Sequence, residues 1–287
     1  MGGQFIERLF SERAFQGFHY NELVHEQQSE FQAMQVFQTA DLGRVLVLDG
    51  IVQTTEADEF IYHESLVHVP LMSLATPRRV MIVGGGDGGS LREVLKHPIE
   101  HVDMVEIDAA VIDCAREYLP SLNDGGRAFD DPRTRLVIED AFQFLQQHRG
   151  EYDAIIIDST DPIGAAEALF SDEFYRLCHA SLTPDGVISA QDGVVFFQAD
   201  EIATTVRALT ALGLHAGAYV NAVPTYYGGL MAFGIAAHQP QVLTPQLAQL
   251  EQRFERLSGD TRHYSPAVHV ASFTLPPWVA AAVEGRS

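Results

Sequence analysis

Apolar and polar residues alternate in short runs across residues 16–55, most clearly at 32–37 and 44–48, and glycine-containing turn sequences separate the runs. This alternation predicts a small antiparallel sheet. Residues 58–74 then place their apolar positions at helical spacing and end ahead of Pro77, which predicts a helix that links two domains.

Beyond Pro77 the pattern changes, because strand-like apolar runs alternate with helical patterns. The predicted strands are 80–83, 101–105, 134–138, 154–157 and 187–190, and the predicted helices are 90–96, 109–118, 142–148, 172–180 and 201–212. Such alternation is typical of a parallel sheet with crossover helices. Two further strands, about 215–220 and 230–236, would complete seven strands.

These patterns predict an α/β protein with a Rossmann-like sheet. We expect an N-terminal β-strand domain at residues 1–65 and a catalytic domain at residues 66–287. The tail from residue 239 is predicted to be partly helical and to dock through Phe254, Leu257 and Trp278.

The composition is that of a globular protein with an unusual charge. The 287 residues are enough for about two domains. Eighteen Lys and Arg against 39 Asp and Glu give a net charge of −21, which repels phosphate backbones and anionic lipid and attracts cations. We therefore expect no nucleic-acid partner, and small polycations fit the charge best.

The two cysteines, Cys114 and Cys178, lack the spacing of a metal site, and both are interpreted as buried thiols. The N-terminus lacks the apolar core of a signal peptide, and no apolar run approaches the ~18 residues of a membrane span. We expect a cytoplasmic protein with no bound metal. His63 and His68 are five residues apart, whereas the two histidines of a zinc-binding helix are four apart.

A glycine-rich loop follows the first strand of the predicted sheet. Gly84, Gly86 and Gly89 have the spacing of a dinucleotide-binding loop, although a tight structural turn would look the same. Glu106 ends the next strand about 20 residues later, where a ribose-binding carboxylate is expected in nicotinamide enzymes as well. Asp140 follows the third strand, and an acid there suits recognition of an adenine amino group.

Asp87 lies within the glycine loop, where a helix N-terminus ordinarily favours an anion. An acid at this position disfavours a ligand that carries a carboxylate. The residue therefore indicates a ligand with a cationic tail.

Two further carboxylates, Asp158 and Asp161, follow the apolar strand 154–157. They could bind a metal, cap a helix, or hold an amine and take its proton. A metal is disfavoured because no His, Cys or third acid is near them in sequence. Capping is a fair interpretation of Asp161 but a poor one of Asp158, which we take as the candidate base.

Together these motifs resemble those of the spermidine synthases, the polyamine aminopropyltransferase family, and of its bacterial members most closely. The resemblance extends from about residue 32 into the C-terminal tail. The segments that carry it are 48–50, 53–56, 58–64, 84–89, 106–108, 158–162, 169–170 and 224–226. It implies a methyltransferase-type sheet and an enzyme without a cofactor that transfers an aminopropyl group from decarboxylated S-adenosylmethionine to putrescine, giving spermidine and methylthioadenosine.

The resemblance also implies roles for individual residues. On the donor side, Gln32 and Glu106 would contact the ribose and Asp140 the adenine, with Gly84, Gly86, Ala141 and Ala165 completing the nucleoside site. Asp87 and Asp158 would hold the aminopropyl ammonium. On the acceptor side, Asp158 would take the proton, Tyr62 and Tyr226 would orient the amine, and His63, Asp161 and Gln191 would line the diamine site.

Two residues depart from the family pattern, and some alternatives stay open. Ala165 stands where the family usually has proline, and Ala141 where it often has glycine. Adjacent residues on a helix cannot share one face, so without the resemblance one of Tyr62 and His63 would be interpreted as a packing residue. Cadaverine or spermidine as acceptor, a small-molecule methyltransferase and a polyamine-binding module without turnover remain alternatives. Relatives suggest a homodimer or homotetramer.

Overall fold

The computed structural model describes residues 2–8, 15–161 and 164–286. At positions 164 and 165 only the backbone is described.

Six strands form two antiparallel sheets at the N-terminus. Strands β1 (Gly3–Glu7) and β2 (Gln16–Tyr20) make a hairpin, and β3 (Glu22–Gln28), β4 (Ala33–Gln38), β5 (Arg44–Leu48) and β6 (Ile51–Thr55) pair in chain order. The predicted antiparallel sheet is thus confirmed in β3 to β6, and β1 and β2 form a separate two-stranded sheet.

Both faces of the four-stranded sheet carry buried apolar residues, as the consecutive buried residues of β5 show. Met34 and Val36 pack against Val111 and Cys114 of the neighbouring domain. The opposite face, which includes Phe37, packs against the aromatic rings of the hairpin. The hairpin is therefore held mainly by burial of apolar side chains.

Helix α1 (Glu59–Ser73) follows and is buried over most of its surface. A boundary after residue 65 falls inside this helix. Its packing against the large sheet places Tyr62 and His63 at the junction between the two sheets.

The large sheet has seven strands: β7 (Arg79–Gly84), β8 (His101–Glu106), β9 (Thr134–Ile138), β10 (Tyr152–Asp158), β11 (Leu182–Val194), β12 (His215–Ala222) and β13 (Leu230–Ala237). Their order is β12-β13-β11-β10-β7-β8-β9. The intervening helices are α2 (Gly89–Leu95), α3 (Ala109–Tyr118), α4 (Arg127–Asp130), α5 (Ala141–Gln146), α6 (Asp172–Ser181) and α7 (Val195–Ala211). The predicted seven-stranded α/β fold is confirmed.

The sheet is mixed because β13 runs antiparallel to both of its neighbours. Only residues 223–229 connect β12 to β13. A parallel crossover needs about a dozen residues or more, so this connection permits only antiparallel pairing. The five strands for which the alternating pattern predicted a parallel arrangement, β7 to β11, do pair in parallel.

Alternate residues of the central strands enter two separate cores. Ile82 and Ile156 face α1 and α2, whereas Val83 and Ile157 face the side covered by α5 and α6. Burial on both faces explains why these strands read as continuous apolar runs.

The C-terminal tail adds a 3-10 helix (Pro240–Leu243) and helices α8 (Leu247–Phe254), α9 (Pro266–Ser272) and α10 (Pro277–Val283). Phe254 and Leu257 pack against the core as expected, but Trp278 is 47% exposed and its ring contacts Phe196. Helix α10 docks instead through Val279 and Ala282, because Trp278 lies on its outward face.

No single helix among the described residues is long and apolar enough to cross a membrane, although the bent pair α9 and α10 together meets the criteria of length and composition.

Neighbouring strands β7 and β10 form the switch point of the large sheet. The chain proceeds from β7 outward to β8 and β9, and from β10 outward in the other direction to β11. In open α/β sheets the crevice beyond the carboxyl ends of such strands is where ligands bind.

Truncation of a side chain in the central strand should reveal the contribution of the core. Ile156 is fully buried, so Ile156→Ala should lower the free energy of unfolding by about 2–5 kcal/mol in urea denaturation. Ile138 is 52% exposed, and Ile138→Ala should change that free energy by less than about 0.5 kcal/mol. Equal effects would contradict the assignment of Ile156 to the core.

Candidate active site

A cavity of about 260 Å³ opens beyond the carboxyl ends of β7, β8, β9 and β10. The N-terminal strands cover it from the other side. Thirteen of the predicted site residues line this one cavity: Gln32, Tyr62, His63, Gly84, Gly86, Asp87, Glu106, Asp140, Ala141, Asp158, Asp161, Gln191 and Tyr226. The remaining one, Ala165, has its side chain outside the described residues.

The glycine loop lies against the end of β10. Gly84 has a φ of +78°, and a side chain there would meet the carbonyl oxygen of Asp158. The next residue, Gly85, donates its N–H to that same carbonyl at 2.9 Å. A Cβ at Gly86 would lie 3.0 Å from Oε2 of Glu106. The loop is therefore glycine-rich because its backbone approaches both acids closely.

Glu106 ends β8 and is 8% exposed. Its Oε1 accepts the N–H of Asp108 at 2.9 Å, and burial raises the pKa of Glu106 to about 7. Asp108 in turn accepts the Gln32 amide at 3.0 Å, which explains how a residue of the N-terminal domain reaches this wall of the cavity.

Asp140 caps α5, since its side chain accepts the N–H of Phe142 at 2.8 Å. Asp140 is thus a helix cap, and it lines the cavity as well. Ala141 is 6% exposed and lies beside it in the cavity wall.

Asp158 lies at the centre of the cavity. The hydroxyl of Tyr62 donates to its Oδ1 at 2.7 Å, while its Oδ2 is buried and has no hydrogen-bond partner among the described residues. Burial raises the pKa of Asp158; His63 opposes this effect and Asp87 adds to it, with a net upward shift. Such a carboxylate has one oxygen fixed and one available to accept a proton.

His63 is protonated between two carboxylates. Its Nδ1 lies 2.6 Å from Glu59 and its Nε2 lies 3.4 Å from Asp87. Burial lowers the pKa of His63, but the two carboxylates outweigh burial and raise that pKa well above its ordinary value. The interpretation of Tyr62 or His63 as packing alone was wrong, because both side chains reach the cavity from the start of α1.

The neighbouring Asp87 is ionised for the same reason. Burial by itself would raise the pKa of Asp87, but the His63 imidazolium outweighs it and holds that pKa below its ordinary value. The carboxylate also accepts the N–H of Gly89 at 2.8 Å, at the start of α2.

A buried ion pair supports this arrangement from behind. The Arg92 guanidinium bridges both oxygens of Glu59, at 3.1 and 2.9 Å. A bidentate pair of this kind fixes the carboxylate that orients His63.

The opposite wall brings together residues from three regions of the chain. The hydroxyl of Tyr226 donates to the carbonyl of Gln53 at 2.7 Å, and its ring packs against that of Tyr62. Glu7 and Gln16, from the N-terminal hairpin, complete this wall.

Glu7, Gln16 and Gln198 were missed from the sequence. Glu7 is 5% exposed, and burial raises its pKa, with Asp161 adding to the shift. An isolated glutamate in a polar N-terminal segment has no sequence signal for such a position.

The cavity is strongly acidic. Seven carboxylates line it, namely Glu7, Asp49, Asp87, Glu106, Asp140, Asp158 and Asp161, and its wall in the described part of the chain contains no lysine or arginine. Across residues 2–8, 15–161 and 164–286, no group of three or more His, Cys, Asp or Glu is placed to hold a metal ion. The site is thus suited to a ligand with cationic groups.

Comparison with known proteins decides the family. The spermine/spermidine synthase domain model matches residues 59–245, and the spermidine synthase tetramerisation domain model matches residues 12–56. The chain belongs to the spermine/spermidine synthase family. The predicted family membership is thereby confirmed.

Curated relatives carry the name polyamine aminopropyltransferase. The protein of Ruegeria is 48% identical over 274 residues, which is 95% of each chain. Those of Erwinia tasmaniensis and Pseudomonas syringae are 46% and 45% identical, over 92% and 95% of each chain. The prediction that the chain is an enzyme of this family is confirmed.

Solved structures agree with the fold. A spermidine synthase in complex with the transition state analogue AdoDATO has a TM-score of 0.91 at 35% identity, covering 98% of this chain and 94% of that one. The spermidine synthase of Thermotoga maritima has a TM-score of 0.89 at 34% identity, with coverages of 98% and 93%.

Loss of the ion pair behind His63 should destabilise the synthase fold. Arg92→Met leaves the Glu59 carboxylate buried without its guanidinium, so we expect the free energy of unfolding to fall by about 3–5 kcal/mol in urea denaturation. Arg78 pairs with Glu100 where both side chains are 66% exposed, and Arg78→Met should cost about 1 kcal/mol or less. A small loss for Arg92→Met would show that Glu59 is not buried as described.

Proposed function

We propose that the protein transfers the aminopropyl group of decarboxylated S-adenosylmethionine to putrescine, giving spermidine and methylthioadenosine. The observation that carries the proposal is the environment of the Asp158 carboxylate. Its Oδ1 is fixed by Tyr62 and its Oδ2 is free, and it lies between the glycine loop and the wall that contains Asp161.

The donor would bind along the glycine loop. Glu106 would accept hydrogen bonds from the ribose hydroxyls, with Gln32 beside it, and Asp140 and Ala141 would contact the adenine. Asp87 would pair with the aminopropyl ammonium. This ionised acid repels the carboxylate of ordinary S-adenosylmethionine, which disfavours a methyltransferase.

The acceptor would bind against the opposite wall, between Asp158, Asp161 and Tyr226. His63 and Gln191 would border this site, and Tyr62 would hold Asp158 in place. Glu7 also lines the cavity and is close enough to Asp161 to interact with its charge, so a second ammonium of a diamine would be attracted there.

The proposed reaction is a direct displacement. The acceptor ammonium first loses a proton to Oδ2 of Asp158, because only a neutral amine is a nucleophile. The amine nitrogen then forms a bond to the methylene carbon beside the sulfonium, and the carbon–sulfur bond breaks with its electron pair going to sulfur. The leaving group is a neutral thioether, so the chemistry requires neither a metal nor a cofactor.

The oligomeric state and the cellular location of the protein are further proposals. The tetramerisation domain model that matches residues 12–56 supports a homodimer or homotetramer. Two buried free cysteines are compatible with the cytoplasm.

A product assay tests the proposal directly. The protein is given decarboxylated S-adenosylmethionine and equal amounts of putrescine, cadaverine and spermidine, and each adduct is measured by mass. We expect spermidine to dominate, with one methylthioadenosine for each. Adducts of cadaverine or spermidine would reassign the acceptor, and S-adenosylhomocysteine formed from S-adenosylmethionine and a methyl acceptor would indicate a methyltransferase.

Removal of the proton acceptor should stop turnover but not binding. Asp158→Asn should lower kcat by about 10²–10⁴-fold, because the amide cannot take the proton. The Kd of methylthioadenosine, measured by calorimetry, should stay within about threefold. Asp113 is an exposed acid on α3, and Asp113→Asn should leave both quantities unchanged. Unchanged turnover in Asp158→Asn would remove Asp158 from the mechanism.

Nucleoside binding should depend on pH through Glu106. The pKa of Glu106 is about 7 in the free protein, and ribose hydroxyls that donate to it favour the ionised form. Binding therefore lowers this pKa, so the affinity for methylthioadenosine should rise about tenfold from about pH 5.5 to about pH 8 and level off above the free-state pKa. Glu106→Gln should flatten this profile, and an unaltered profile would assign the titration to another group.

A further inference from the structure

Two glutamine side chains flank Asp161 in the wall of the cavity. Gln191 lies in β11 and is 2% exposed. Gln198 lies in the first part of α7, at a kink where its φ of −125° and ψ of 37° leave the helical region. This kink turns the Gln198 side chain into the cavity wall rather than along the helix.

Consecutive backbone N–H groups fix the carbonyl ends of both amides. Gly193 donates to Oε1 of Gln191 at 3.1 Å, and Val194 donates to Oε1 of Gln198 at 2.7 Å. Because each amide oxygen is occupied in this way, each NH₂ group is directed to the other side. Gly193 has a φ of +67°, and a side chain there would collide with Gln198 and Glu201.

The NH₂ groups meet two carboxylates. Gln198 donates to Oε1 of Glu201 at 2.8 Å, and both glutamine side chains line the cavity wall together with Asp161. Burial raises the pKa of Asp161, and the two amides oppose that shift. Gln198 thus lies between a carboxylate of the cavity and one behind it.

Glu201 stands outside the cavity wall. Burial raises its pKa to about 7, and the charge of Asp161 contributes to the shift. Its Oε2 is buried without a hydrogen-bond partner among the described residues. Its contact with the site therefore runs through Gln198.

Asp161 needs such support, because it lies after the end of β10 and belongs to neither a helix nor a strand. The neighbouring glutamine amides of the cavity wall can orient its carboxylate. An acceptor ammonium that pairs with Asp161 would be placed relative to Asp158 by that orientation.

We propose that Gln198 and Glu201 are positioning residues for the acceptor amine: Glu201 anchors the Gln198 amide, and this amide holds the Asp161 carboxylate toward the cavity. The inference rests on the proposed aminopropyl transfer and adds to it two residues that determine affinity for the acceptor. The donor site lies along the glycine loop and is not touched by either residue.

The test separates acceptor binding from donor binding in steady-state kinetics with putrescine. Gln198→Met has a similar size and cannot hydrogen-bond. It should raise the acceptor KM about tenfold, with the donor KM and kcat within about twofold of the unaltered enzyme. Gln249 is exposed on α8, and Gln249→Met should change none of the three.

Two variants at Glu201 distinguish an effect of its hydrogen bond to Gln198 from electrostatic attraction between its charge and the acceptor amine. Glu201→Gln keeps an oxygen that can accept from Gln198 and should raise the acceptor KM by less than about threefold. Glu201→Leu removes that oxygen and should raise it about tenfold. Glu251→Leu removes an exposed charge on α8 and serves as the control for net charge.

The outcomes separate the two proposals. An unaltered enzyme that forms no adduct with any of the three amines overturns the proposed function. An active enzyme whose acceptor KM is unchanged in Gln198→Met and Glu201→Leu overturns only the positioning role. Equal increases in Glu201→Gln and Glu201→Leu would also overturn it, since charge alone would then explain both. If Gln198→Met does not fold, the pair at Glu201 decides.

Discussion

Asp158 is the residue on which the rest of the site depends. Its backbone carbonyl receives the N–H of Gly85, so the glycine loop is tied to the end of β10. Its side chain receives the hydroxyl of Tyr62, so the start of α1 is tied to the same point. A strand, a loop and a helix thus converge on one amino acid. A shift of that residue would displace all three together, because well-packed interiors transmit movement rather than absorb it.

The cavity also shows how carboxyl groups in one site acquire different pKa values. Asp87 is ionised because a protonated histidine lies beside it, whereas burial raises the pKa values of Asp158 and Glu106. The difference arises from the neighbours, and Arg92 and Glu59 contribute by orienting His63. An acidic wall of this kind is costly without a bound cation, and hydrogen bonds from amides and hydroxyls offset part of that cost.

Much of this arrangement was predictable from the sequence, and the features that were not predicted share a physical reason: they depend on tertiary structure. Strand periodicity located the sheet, and acids at strand ends located Glu106, Asp140 and Asp158, because parallel strands bring their carboxyl ends to one edge. The direction of β13 depended on the length of one short connection. Glu7 and Gln198 reach the cavity only through tertiary structure, from a hairpin and from a helical kink, and no local pattern marks them. Trp278 was misplaced because a large apolar residue need not be buried.

One wall of the cavity joins the N-terminal hairpin to the segment after β12, so the order of synthesis on the ribosome decides when this wall can form. Gln16 bonds to the carbonyl of Thr225, and Tyr226 bonds to that of Gln53, so the ends of this wall are more than 170 residues apart in the chain. Every residue from the glycine loop to Asp158 is synthesised before Thr225 and Tyr226, which complete this wall. The glycine loop and the strand ends around Asp158 can therefore take shape on a nascent chain while Gln16 and Gln53 still lack their partners at positions 225 and 226. Only when β12 and the turn after it have been made does this wall of the cavity close.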